Sequence, residues 1–214
     1  MIISHKYKLI FFSNPKTGSE SIRKLLKPIS EENIVVFRKT SSKNPFYSHI
    51  TPLETRTIFE NRNLKFTDYN RLVFTRNPFR RILSLFKMMT RGRQFDVELF
   101  NRWIPTIDNK GAGGGGNDLD RWLKYGTYSI YNFISDQRGT SLVTKIIRIE
   151  DIEDKLTEYL IETGIPRSVT DQPIPHTNHS GVIETNPLDK YSDENIDIML
   201  KLYGKEIKEY GYKI

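Results

Sequence analysis

The sequence predicts an α/β fold: a single domain with a mostly parallel central sheet flanked by helices, and a P-loop-like strand–loop–helix near its start. Two observations carry that prediction. Short apolar runs of strand length alternate with longer stretches whose apolar residues recur at helical spacing. The chain has 214 residues, the size of one α/β domain over positions 1–214, and no internal repeat or composition shift marks a second domain.

In order, the polar residues 1–7 run straight into an apolar strand at 9–12 (Leu-Ile-Phe-Phe), which breaks at Asn14-Pro15. A helix follows, with Ile22, Leu25, Leu26 and Ile29 on one face. Residues 33–37 (Asn-Ile-Val-Val-Phe) read as a second strand, and the polar stretch through Asn44-Pro45 and His49 reads as loop. Pro52 opens a helix over 53–61. Residues 71–75 form a strongly apolar strand that ends at Arg76. Asn77 is placed as an N-cap with Pro78 at the first helical position, and Phe79, Ile82, Leu83, Phe86 and Met89 form the buried stripe.

Residues 95–104 read as a helix with Val97, Phe100, Trp103 and Ile104. The Gly-rich run at 110–117 has too much backbone freedom to be an element and reads as a flexible loop, natural or engineered. Residues 119–134 read as a helix, 145–149 as a fourth strand and 151–162 as a helix stopped by Gly164 and Pro166. Residues 167–188 are polar loop. A closing helix over 193–210 places Ile196, Leu200, Tyr203 and Ile207 on one side. The alternation argues a doubly wound sheet, whose ligands bind beyond the C-terminal ends of the strands.

The formal charge is +7, which favours polyanionic partners such as nucleotides, nucleic acid, acidic sugars or a membrane surface. No nucleic-acid motif is recognised, and the twelve Phe and eleven Tyr read as core bulk rather than as a stacking platform. There are no cysteines, which excludes disulfides, thiolate catalysis and cysteine-ligated zinc. With no signal-peptide or membrane-spanning pattern, the chain is expected to be soluble and cytoplasmic.

Two junctions carry chemistry. Lys16, Thr17, Gly18, Ser19 and Ser21 follow the first strand and open a helix. Unpaired N–H groups and the helix macrodipole attract an anion there, Lys16 adds a full charge, Gly18 lets the backbone approach, and the hydroxyls donate. This is a phosphate- or sulfate-binding loop. It is not a Walker A loop, because the lysine precedes the glycine. At the second junction Arg76, Arg80 and Ser84 recur every four residues, so Arg80 and Ser84 share a helix face. Guanidinium forks beside a hydroxyl suit a second phosphate.

Pro15-Lys16-Thr17-Gly18-Ser19-Glu20-Ser21 resembles the 5′-phosphosulfate loop of sulfotransferases, and the segment from Phe74 through Arg76 and Arg80 to Ser84 resembles their 3′-phosphate motif. The similarity is closest to Golgi-type carbohydrate sulfotransferases, including the 2-O-sulfotransferases, and weaker echoes continue at Arg148 to Ile152, at His176 to Ser180 and at Tyr203 to Tyr212. It implies a sulfotransferase fold and sulfuryl transfer from 3′-phosphoadenosine 5′-phosphosulfate (PAPS) to a hydroxyl or amine, with a carbohydrate as the weighted acceptor and 3′,5′-ADP (PAP) as product. Lys16, Thr17, Gly18, Ser19 and Ser21 would hold the phosphosulfate, Lys16 would also stabilise the leaving oxygen, and Arg76, Arg80 and Ser84 would hold the 3′-phosphate. His49 stands where the 2-O-sulfotransferases have a catalytic histidine and is the candidate base, with Glu20 or Glu54 as alternatives. His176, Asn178 and His179 would line the acceptor cleft. No metal is required, since Lys16, the helix dipole and the loop N–H groups take its place.

Lacking the anchor and disulfides of Golgi members, the chain reads as a cytoplasmic microbial or viral relative in preference to an excised catalytic domain. Two rival readings stay open: a nucleotide-dependent phosphotransferase with an irregular P-loop, and a non-catalytic polyanion binder. The oligomeric state is not encoded in any recognised pattern.

Overall fold

The structure is a computed structural model that describes residues 1–109, 126–175 and 186–214. The Gly-rich run at 110–117 lies outside the described residues, as do His176, Asn178 and His179. The chain divides into two compact units: Met1–Thr75 with Ile134–Asn178, and Arg76–Phe133 with His179–Ile214.

The first unit is built on a four-stranded sheet of order β1-β2-β3-β4, with β1 Ile2–Ser4, β2 Leu9–Phe12, β3 Asn70–Thr75 and β4 Lys145–Arg148. β1 runs antiparallel to β2, whereas β2, β3 and β4 are parallel, in register Phe12↔Val73 and Thr75↔Arg148. The mostly parallel α/β fold expected from the alternation is therefore the fold observed. The parallel strands stand in chain order, however, without the strand-order reversal of a doubly wound sheet.

Side chains alternate across the sheet. Leu9, Phe11, Leu72, Phe74 and Ile147 face Ile22 and Leu26 of α1 (Ser19–Leu26), and also α6 (Ile152–Glu162) and α7 (Arg167–Thr170). Phe11 and Phe74 are fully buried and meet edge to face at 5.5 Å. Each such ring removed from water contributes about 1.5–3 kcal/mol. On the opposite face Phe12 packs on Phe66, which in turn meets Phe59 of α2 (Pro52–Asn61) at 5.8 Å. Helices thus cover both faces, which a largely parallel sheet requires.

The second unit is helical: α3 Pro78–Met89, α4 Val97–Trp103, α5 Ile130–Ile134 and α8 Asp193–Glu209. Its core joins Phe79, Ile82 and Phe86 of α3 to Phe100 of α4 and to Met199 and Tyr203 of α8. Among the described residues no helix is long and apolar enough to cross a membrane.

Five local expectations are corrected. Residues 1–7 contain a strand: Met1, Ile2 and Ile3 are buried, but three residues are too few to show a period before the polar turn that follows. Residues 33–37 are not a strand; one isolated bridge joins Val35 to Tyr47, and Val36 is 59% exposed, so the run lacks the buried face that would define one. Of the helix expected over 119–134, residues 119–125 lie outside the described residues, 126–129 are not helical, and only α5 forms. The polar stretch 167–188 contains the short α7 and a 3-10 turn at Pro187–Lys190. On α8 the expected Tyr203 and Ile207 are buried, Ile196 and Leu200 are only partly buried, and Asn195, Met199 and Glu206 also turn inward. Two of those inward residues are polar, and a hydrophobic pattern cannot see them.

Candidate active site

β2 and β3 end side by side at one edge of the sheet. After β2 the chain makes a tight buried turn, in which Asn14 N–H donates back to Phe12 O (3.2 Å) and Asn14 Nδ2 reaches Phe74 O of β3 (3.4 Å). Thr17 Oγ1 donates to Asn14 O (2.8 Å), so this hydroxyl closes the loop on itself. Ser13 and Asn14 are fully buried, and their side-chain oxygens, Ser13 Oγ and Asn14 Oδ1, have no partner among the described residues.

The backbone then enters the left-handed region twice, at Lys16 (φ 64°) and at Gly18 (φ 70°). A lysine gains nothing locally from that conformation, which costs an L-residue about 1–2 kcal/mol. Non-glycine residues held there gather at functional sites. Gly18 has a φ that suits glycine, and a Cβ there would stand 2.8 Å from Ile149 Cδ1, the far end of that side chain. As the N-cap of α1, Gly18 offers no side-chain acceptor to the opening amides of the helix. Ser19 is buried and Ser21 half-buried, while Glu20 sits on the outer face of α1, 3.9 Å from Lys24.

His49 joins this loop. Its Nδ1 lies 2.8 Å from Ser13 O, and because a carbonyl can only accept, Nδ1 carries the proton and Nε2 is the basic nitrogen of the neutral ring. Glu54, the alternative base, is engaged elsewhere. Its carboxylate accepts from Tyr47 Oη (2.7 Å), from Thr51 N–H (2.9 Å) and from Thr51 Oγ1 (2.7 Å), and with Thr51 it forms the capping box of α2.

A third strand end belongs to the same unit. Arg148 closes β4 and grips Asp151 with two parallel bonds, from Nε and Nη2, each 2.7 Å. That guanidinium, with Lys155 beside it, holds the Asp151 carboxyl down at about 2.

In the second unit the turn into α3 is capped differently. Asn77 Oδ1 accepts from Phe79 N–H (3.0 Å) and Arg80 N–H (3.4 Å), with Pro78 at the first helical position, as the sequence indicates. Arg76, Arg80 and Ser84 are half-buried, and Arg80 and Ser84 lie one turn apart. Arg81 turns the opposite way: it is fully buried, donates from Nη1 to Gly126 O (3.0 Å), lies 3.9 Å from the Glu206 carboxylate and faces the Tyr203 ring at 5.3 Å. Burial pushes the Tyr203 hydroxyl up, and that hydroxyl donates to Thr127 O (2.6 Å). Sequence reasoning did not single out Arg81 or Glu206, since adjacent arginines look alike until helix phase separates them.

The structure therefore brings Lys16, Thr17, Gly18, Ser19, Ser21 and His49 together around one loop. It also reveals Ser13, Asn14 and Ile149 as parts of that loop's frame. The sequence model described as the Sulfotransferase family matches residues 1–213. The chain belongs to the sulfotransferase family. No curated protein matches it. Sulfotransferases share the transfer of a sulfuryl group.

Proposed function

We propose that this sulfotransferase moves a sulfuryl group from PAPS to an acceptor hydroxyl of carbohydrate class, with His49 as general base and Lys16 as the leaving-group cation. The observation that carries the reading is the 2.8 Å bond from His49 Nδ1 to Ser13 O, because it fixes the imidazole against the loop suited to an anion and directs basicity to Nε2. The loop fits a phosphosulfate: a glycine cap leaves α1 without a side-chain cap, and at φ 70° that position favours glycine.

In this reading the amides at the start of α1, together with Lys16, Ser19 and Ser21, bind the 5′-phosphosulfate, while Thr17 keeps the loop closed through Asn14 O. Arg76, Arg80 and Ser84 bind the 3′-phosphate. His49 Nε2 takes the acceptor's proton as the new O–S bond forms, and the S–O bond to the 5′-phosphate breaks. Lys16 meets the charge that develops on the departing oxygen, a preplaced cation of the kind that lowers transition-state energy most. His176, Asn178 and His179 are assigned to the acceptor side on resemblance alone.

Calorimetry with PAP, 5′-AMP and ATP tests the reading. PAP is expected to bind far better than 5′-AMP, and Arg76→Ala to weaken PAP by roughly tenfold to a hundredfold, the loss of a charge-assisted bond. Equal binding of PAP and 5′-AMP would overturn it, as would a preference for ATP with Mg²⁺, which would indicate phosphoryl transfer. Salt-sensitive polyanion binding with no stoichiometric nucleotide site would identify a non-catalytic binder.

A further inference from the structure

We infer that Glu54 is the positioning residue for His49, acting through the five-residue segment 47–51 that carries the imidazole; this rests on the role proposed for His49. The two carboxylate oxygens of Glu54 are used separately. Oε1 accepts from Tyr47 Oη at 2.7 Å, at one end of the segment, and Oε2 accepts from Thr51 N–H at 2.9 Å and Thr51 Oγ1 at 2.7 Å, at the other. His49 is the middle residue of the segment so clipped, and its Nδ1 makes the bond to Ser13 O.

An ordinary capping box needs only the Thr51 half of this arrangement. The Tyr47 half does nothing for the helix; it closes the segment on its far side, where Tyr47 is buried. With both ends fixed on one carboxylate, the direction of the His49 ring is set by a rigid frame rather than by the loop's own preferences. A base must sit within hydrogen-bond reach of the proton it removes, and small displacements of such a group cost rate steeply. Glu54 therefore serves geometry by binding Tyr47 and Thr51, one at each end of the segment.

The experiment pairs kinetics with imidazole-nitrogen NMR on the full chain, His49 being assigned by the signal lost in His49→Gln. At about pH 8, above the imidazole range, wild-type His49 is expected as a single tautomer with the proton on Nδ1. Glu54→Ala is expected to mix the tautomers and to lower kcat by up to about a hundredfold, with KM for PAPS unchanged. Glu54→Gln is expected to restore both, because its amide can accept from Thr51 and donate to Tyr47 Oη. Thr51→Ala removes the hydroxyl cap yet leaves Glu54 on Tyr47 and on the residue 51 amide, so it is expected to lose stability while keeping kcat and the tautomer.

A pure Nδ1–H tautomer surviving in Glu54→Ala would overturn the inference, as would equal kinetic losses in Glu54→Ala and Thr51→Ala. If wild type transfers no sulfuryl group, the proposed function fails by itself, and the tautomer alone then decides whether Glu54 orients His49.

Discussion

The junctions at residues 13–18 and 75–78 each take the chain from a parallel strand into an amphipathic helix, yet they offer an anion different surfaces. At the first, Lys16 and Gly18 are left-handed and the cap residue has no side chain, so the phosphosulfate site proposed above would be largely backbone. At the second, Asn77 fills the opening amides of α3 with its own oxygen, so the 3′-phosphate site proposed above would rest on the side chains of Arg76 and Arg80. A backbone cradle is pre-ordered and fixed by its dihedral angles. A side-chain cradle carries more charge and must order long flexible groups when it binds. At the strand end of β4 the Arg148 guanidinium is held by Asp151.

Variants that exchange these properties test the contrast. The largest effect is expected from Lys16→Gly, which deletes the cation while suiting φ 64°. Activity should fall about 10²–10³-fold, with stability unchanged or raised by up to about 1 kcal/mol. A steady-state assay beside thermal unfolding checks this, and a clear loss of stability would refute a strained backbone at Lys16.

Gly18→Ala should cost roughly 1–2 kcal/mol of stability and about tenfold in PAP affinity, through both its conformation and its contact with Ile149. Adding Ile149→Val removes the Cδ1 atom that the new Cβ meets at 2.8 Å. The double variant should regain the contact share and not the conformational share, and calorimetry of both separates them.

At the other junction Asn77→Ala should lower stability by about 1 kcal/mol, the cost of a lost N-cap, while PAP binding still depends on Arg76. Denaturant unfolding with calorimetry would expose the reverse, a backbone-dominated second cradle, as a collapse of PAP binding in Asn77→Ala.

Smallest is the effect of Asp151→Asn. The folded carboxyl titrates at about 2 against an ordinary 3.8, so its contribution is present above 3.8 and lost as pH falls through about 2. The pair is partly exposed, and solvent screening limits the loss in Asp151→Asn to about 0.5–1 kcal/mol at neutral pH. That difference should vanish near pH 2, which unfolding measured against pH will show.

Much of this was legible in the sequence. Leu9 to Phe12, the Arg71 to Thr75 run, the Asn77-Pro78 helix start and the helix opened at Pro52 all declare themselves within a few residues, because strand period, capping and proline geometry are local. The order of Lys16 before Gly18 also sets this loop apart from a Walker A loop without any coordinates. The Val35-Val36 run misled because a β-propensity says nothing about whether a partner strand is present.

By itself, then, the sequence determined the class of fold, the two junctions and the chemistry their residues can offer. The tertiary structure decided the rest. It buried Arg81 against Glu206 and the Tyr203 ring of α8 while Arg80 stayed half-buried. It also joined His49 to Ser13 and set Ile149 against Gly18. Those partners are 36 and 131 positions apart in the chain, and only the packing of helices on the sheet brings such residues within a hydrogen bond or a van der Waals contact.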